Sequence, residues 1–287
     1  MTKFDDAFIE RSFELTSPPK RRNFWRYFLI GIGLALLFLP VVNGNGMGLP
    51  RPALIAIPAA FALGIMGGVA AMTRRQRSRR QIVMAAWDGV QLEEWDKAEK
   101  AVSESLDRPL ATPADRCQAY LALAAILERK RKYEAALQIY GKLLIHRIGD
   151  PYQLQHVQIA MTAAKFRNEE LTDAIQMLDR IEKFPMPLTM RALVSWTRLY
   201  QQVFMGQFED AIKDLEETRQ LFRRYLSTRA GYTYALFAKA LHQTGRTDLA
   251  AKYWHDATLL IEPERLMEEY PFLLPIPATY PHAEVPI

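Results

Sequence analysis

The residues best suited to chemistry in this 287-residue chain are five histidines, a single cysteine and two acidic pairs. His146, His156, His242, His255 and His282 form neither an H-E-x-x-H pair nor a zinc-finger pattern, so no metal site is expected. Cys117 has no partner for an intrachain disulfide and reads as a small apolar filler in a helix. Glu93-Glu94 and Glu268-Glu269 read as solvated helix charges. There is neither a glycine-rich phosphate loop nor a G-x-S-x-G elbow. These patterns predict no cofactor, no metal and no catalytic residue. The expected chemistry is that of a binding surface.

A repeat must position that surface. Ala98, Ala136, Ala174, Ala211 and Ala250 recur at intervals of 38, 38, 37 and 39 residues. Three residues before them stand Trp95, Tyr133, Leu171, Phe208 and Thr247, and four after come Val102, Tyr140, Leu178, Leu215 and Trp254. These offsets share one helix face, with the alanine where a neighbouring helix approaches. Twelve residues earlier lie Ala86, Ala124, Thr162, Leu199 and Ala238, a second close-approach point on the preceding helix. Gly206 and Gly245 fall between paired helices, while Pro109, Pro151, Pro185 and Pro263 follow second helices. The fourth unit has no closing proline, so its second helix is expected to run on through Arg223 and Tyr225.

This pattern resembles the tetratricopeptide repeat, a helix-turn-helix unit of about 34 residues. The match is fullest at Tyr234, Phe237, Ala238, Leu241, Gly245, Ala250, Trp254, Ala257 and Pro263. The next best is Tyr120, Leu123, Ala124, Leu127, Tyr133, Ala136 and Tyr140. The resemblance covers about residues 81–263 and implies an all-α, right-handed solenoid of about five units. In that family the first helix of each pair lines the groove. The resemblance therefore implies a partner groove of Trp87, Leu121, Ala125, Ile159, Ala163, Trp196, Tyr200, Ala235 and Lys239. For Trp196 and Tyr200 a groove and a core position fit equally well. The set is apolar and aromatic, with Lys239 its one basic residue, and lacks the basic clamp by which relatives hold acidic tails. It suits an amphipathic helix or an apolar strip of a partner.

The first 80 residues differ in kind. Tyr27–Val42 and Pro52–Met72 are uncharged runs of 16 and 21 residues. At 1.5 Å per residue they reach about 24 and 31 Å, and Phe24 to Arg26 extends the first. A transmembrane hairpin is expected, with helices at 24–42 and 52–72 and an external loop at 43–51. Arg74, Arg75, Arg77, Arg79 and Arg80 follow it as a basic linker, 73–80, at the membrane surface. Positive-inside bias then places both termini and the solenoid in the cytoplasm, most simply at a bacterial inner membrane. Ala56, Ala60, Gly64 and Gly68 form a small-residue stripe, with Gly31 and Ala35 as its counterpart. These close the hairpin, or dock another membrane protein or a second copy to form an oligomer. Residues 1–80 carry a net +8 and residues 81–287 a net −3, so the basic excess is attributed to membrane topology and anionic lipid head groups rather than to nucleic acid.

At the ends, residues 1–23 read as an amphipathic helix on the membrane or a disordered tail. The proline-rich segment 264–287 is too apolar for a free linker, and packing across the last repeat as a cap suits it. The expected function is a membrane-anchored scaffold that assembles a membrane-associated complex through its groove. Two alternatives are an integral subunit of a larger membrane enzyme, transporter or photosynthetic or respiratory assembly, and a peptide-sensing regulatory adaptor.

Overall fold

The computed structural model describes residues 4–17, 70, 73–74, 76–110 and 112–280, and every regular element among them is helical. In order these are α1 (Asp6–Leu15), α2 over 76–91, α3 (Trp95–Leu106), α4 (Pro113–Arg129), α5 (Tyr133–Ile145) and α6 (Pro151–Arg167). Next come α7 (Leu171–Glu182), α8 (Leu188–Phe204), the short α9 (Phe208–Ala211), α10 (Leu215–Tyr225), α11 (Ala230–Gln243) and α12 (Thr247–Thr258). Finally α13 (Pro263–Glu269) and α14 (Pro275–Thr279) flank a 3-10 turn at Pro271–Leu273, and another such turn, Ser227–Arg229, precedes α11. The chain divides into two compact units, Met1–Leu154 and Gln155–Ile287.

Five helix pairs follow the alanine period. Ala98, Ala136, Ala174, Ala211 and Ala250 are all buried, as are Ala86, Ala124, Thr162, Leu199 and Ala238. At the first pair the approach is close enough to require glycine: a Cβ on Gly89 would lie 3.0 Å from both the Cβ and the backbone nitrogen of Ala98.

The turn inside each pair repeats too. Glu93, Arg131, Glu169, Gly206 and Gly245, each five residues before its alanine, have left-handed backbones with φ of 58°, 56°, 62°, 75° and 77°. The next amide in each case bonds back five residues: Glu94 to Gly89, Lys132 to Leu127, Glu170 to Lys165, Gln207 to Gln202 and Arg246 to Leu241, at 2.8–3.0 Å. This is the Schellman termination, which satisfies the last carbonyls of the first helix and aims the chain into the second. Glycine fills the left-handed position at two turns. At the others a side chain opposes it, so exposed Glu169→Gly is expected to raise stability by about 0.5–1 kcal/mol in thermal melts. A destabilised variant would contradict the strain argument.

The first helices of the second and third pairs are started by side-chain caps. Thr112 Oγ1 accepts from the Asp115 amide at 3.0 Å ahead of Pro113. Asp150 and Gln153 cap α6 reciprocally, each side chain accepting from the other's amide, at 2.8 and 3.1 Å. The fourth pair departs from expectation: its second helix reaches Tyr225 but breaks at residues 212–214, which are Ile, Lys and Asp and carry no breaker signal.

α1 packs on the first unit. Phe4, Ile9 and Phe13 are buried, Phe13 stacks on Tyr120 with centroids 3.9 Å apart, and Thr16 Oγ1 lies 3.0 Å from the Tyr120 hydroxyl. Arg116 donates to the Phe13 carbonyl and to Thr16 Oγ1, and Lys142 pairs with Glu10. The segment read as a membrane-lying helix or a disordered tail thus spends its apolar face on protein.

Among the described residues, no helix is long and apolar enough to cross a membrane. The helix α2 sets a buried face against charges: Arg77, Arg79, Arg80 and Asp88 share it with buried Val83, Ala86 and Val90. This overturns the integral-membrane localisation, with its cytoplasmic termini and solenoid. The runs 24–42 and 52–72, their loop, and Gly31, Ala35, Ala56, Ala60, Gly64 and Gly68 lie outside the described residues, Ala70 apart. The basic stretch expected as a linker is helical over 76–80. Arg79 donates to the Pro109 carbonyl at 3.0 Å and Arg80 lies 3.9 Å from Asp115, while Arg74 and Arg77 are exposed and Arg75 is not described.

Candidate peptide-binding surface

The groove positions expected from the repeat divide by burial. Leu121, Ile159 and Ala235 are buried in helix packing and present no surface to a partner. Four residues further along each helix, Ala125, Ala163 and Lys239 are half-buried, as is Trp87 on α2. The burial of Leu121 has a plain cause: α4 is covered on nearly all sides, with Ala119 to Ala124, Ile126 and Leu127 all buried. On α11, Lys239 sits where burial lowers the pKa of its ammonium group.

Trp196 and Tyr200 are both half-buried on α8, and the second unit's own C-terminal segment lies against them. Trp196 Nε1 donates to the Tyr270 hydroxyl at 3.2 Å, and its ring stacks on Tyr232 with centroids 6.0 Å apart. Tyr200 meets Tyr270 at 5.4 Å and Phe272 at 5.9 Å, and Phe204 meets Phe272 edge-on at 5.9 Å. Leu273 and Ile276 are fully buried beside this cluster. Tyr280 ends the run, its hydroxyl 3.0 Å from His242 Nδ1 on α11. Burial raises the Tyr270 phenol far above the ordinary tyrosine range, so it stays protonated as a hydrogen-bonding group.

Charge gathers at the start of this segment. Arg167, on α6, pairs with Glu269 at 2.8 Å. Burial pulls the Arg229 guanidinium below its ordinary value, against the opposing effects of Tyr232 and Glu269. Burial, then the charge of Arg229, holds the His156 imidazole down to about 4 from 6.5. The folded chain therefore takes up this proton less readily than the unfolded chain, and stability present above pH 6.5 is lost as pH falls toward 4. The loss at the lower end is expected to be roughly 2–3 kcal/mol, read as a falling urea midpoint. His156→Asn should flatten that slope; an unchanged slope would place the titration elsewhere.

Cys117, buried in the first unit, has its thiol pushed up to about 12 by burial and then by Asp150, which removes it as a nucleophile at neutral pH. Among the described residues, no three His, Cys, Asp or Glu side chains gather as a metal site. Sequence reasoning named Trp196 and Tyr200 but not Arg167, Arg229, Tyr232 or Tyr270, which lie around the tail with them. The available signal was the apolar content of the tail, which required a surface to cover it.

No family model matches the chain, and no curated protein matches it. Among the solved structures that resemble it are two of PlcR from Bacillus thuringiensis. One, in complex with the peptide PapR7 and DNA, has a TM-score of 0.48 and 16% identity over 70% of this chain and 74% of that one. The other, the apo form, has a TM-score of 0.47 and 17% identity over 81% of this chain and 89% of that one.

Proposed function

We propose that this chain is a tetratricopeptide-like adaptor that recognises a segment of a partner protein or peptide, acting by binding and not by catalysis. Of the readings drawn from the sequence, the peptide-sensing adaptor is the one this site supports. The observation that carries it is the proline-punctuated stretch Tyr270–Tyr280, a 3-10 turn and a short helix, held against α8 and α11 by Trp196, Tyr200 and His242. A surface that accommodates such a stretch in cis has the shape and the aromatic anchors to accommodate one in trans. Proline lowers the entropy lost on ordering such a segment, and each buried aromatic anchor contributes roughly 2–4 kcal/mol to such binding.

A photo-crosslinking phenylalanine analogue at Lys239 tests this proposal, with the same analogue at exposed Lys213 as control. In the native host, a discrete covalent partner from position 239 and none from 213 is the expected result. Absence of any discrete product from 239, with the protein folded and abundant, would count against the adaptor reading.

A further inference from the structure

The candidate surface is occupied, and the chemistry of its occupant describes a ligand. Reading along the tail, Glu269 meets Arg167, Tyr270 enters the pocket of Trp196, Tyr200 and Tyr232, Pro271 turns the chain, and Phe272 packs edge-on to Tyr200 and Phe204. The receiving side chains come from α6, α8 and α11, so the pocket exists only once the helices have assembled. The occupant is attached chiefly through side chains. Its amide at Tyr270 bonds back to Leu266 of the adjoining α13, and the others run within the segment, from Leu273 to Tyr270, Leu274 to Pro271 and Tyr280 to Ile276. Leaving the surface therefore breaks no shared backbone ladder. The fit also leaves apolar surface uncovered at its edge, with Leu274 60% and Phe204 40% exposed.

We infer that Glu269–Tyr280 is a tethered ligand, holding in cis the site at which a partner protein's segment of the same chemistry binds in trans: an acidic residue followed directly by an aromatic, a proline and a second aromatic. This inference rests on the adaptor reading and names the ligand class for it. Charge complementarity selects the acidic residue, because Arg167 and Arg229 both lie where Glu269 arrives. The aromatic pocket selects the ring that follows, and its hydrogen bond to Trp196 favours tyrosine there. Occupation in cis makes the apparent affinity depend on how often the tail is away, so anything that loosens the tail strengthens binding in trans.

The test uses the full chain and a fluorescein-labelled peptide with the sequence of residues 266–280, followed by anisotropy. Phe272→Ala with Tyr280→Ala weakens the tail at its half-buried contacts and leaves the pocket unchanged. The double variant should bind the peptide at least about tenfold more tightly than the wild type. Adding Arg167→Ala, or replacing both glutamates of the peptide with Gln, should reverse most of that gain. Equal or absent binding in a double variant with a near-normal melt would overturn the inference, making the tail a permanent cap. A concentration-dependent dimer of the double variant that excludes the peptide would also overturn it, assigning the site to a second copy. If the double variant fails to fold, native-state hydrogen exchange on the wild type decides. Amides of 271–280 should open well before those of α11, and opening only with global unfolding would overturn the inference. A partner crosslinked from Lys239 but indifferent to the peptide would refute the tethered ligand alone; loss of both results would remove the adaptor reading as well.

Discussion

Tyr120→Ala is expected to destabilise the first unit by roughly 3–5 kcal/mol. The ring is fully buried in α4, stacks on Phe13 at 3.9 Å, and carries a hydroxyl within reach of Ser12 and Thr16 on α1 and its C-terminal edge. Truncation opens a cavity where two segments 100 residues apart in sequence meet, so α1 should detach before the unit unfolds. Urea denaturation measures the loss, and faster proteolysis near Phe13 measures the detachment. Tyr120→Phe keeps the ring and removes the hydroxyl, and should lose only about 1 kcal/mol. Equal losses for the two variants would show that the polar contacts, not the packing, hold α1.

Gly89→Leu should be comparably severe, at about 3 kcal/mol or more. A Cβ at this position already lies 3.0 Å from the backbone nitrogen of Ala98, and backbone cannot move aside as a flexible side chain can. The strain falls between α2 and α3, the first of the five pairs, so the same measurement tests the register of the repeat. By contrast Gly141→Ala, where a Cβ would meet nothing within 4 Å, should leave the melt unchanged or raise it slightly. A tolerated Gly89→Leu would mean that the first pair does not close around Ala98.

Much of the fold is legible because close helix approach restricts residue size, and size is visible in a sequence. All five periodic alanines are buried, and so are the five positions twelve residues earlier. The left-handed turns were only partly visible: glycine marks them at 206 and 245, whereas Glu93, Arg131 and Glu169 give no hint of positive φ. Apolar residues proved ambiguous, since burial against protein and burial in lipid select the same types. Residues 1–23 were read as a membrane-lying helix or a disordered tail, and instead Phe4, Ile9 and Phe13 are buried in the first unit. The arginines of 74–80 were read as a topological signal, yet Arg79 bonds the Pro109 carbonyl.

The candidate site was legible on one side only. Trp196 and Tyr200 stand out as aromatic residues on a first helix, and the structure gives them the tail as a neighbour. Tyr270 and Arg167 could not be paired with them from sequence, because their contacts join elements about 70–100 residues apart without any motif. Contacts of this kind depend on how helices stack, which local periodicity does not encode.

Mobility of the tail tests the central claim most directly. Cys117 is buried and unreactive, so a nitroxide can be placed selectively on exposed Thr279→Cys in the full chain. The free protein should give an immobilised spectrum, with the tail seated on α8 and α11. Saturating the protein with a peptide of the sequence of residues 266–280 should convert it to a mobile spectrum while α-helical circular dichroism stays unchanged, because the peptide takes the tail's place. A label that stays immobilised when the peptide is bound, or is mobile from the start, would contradict the account.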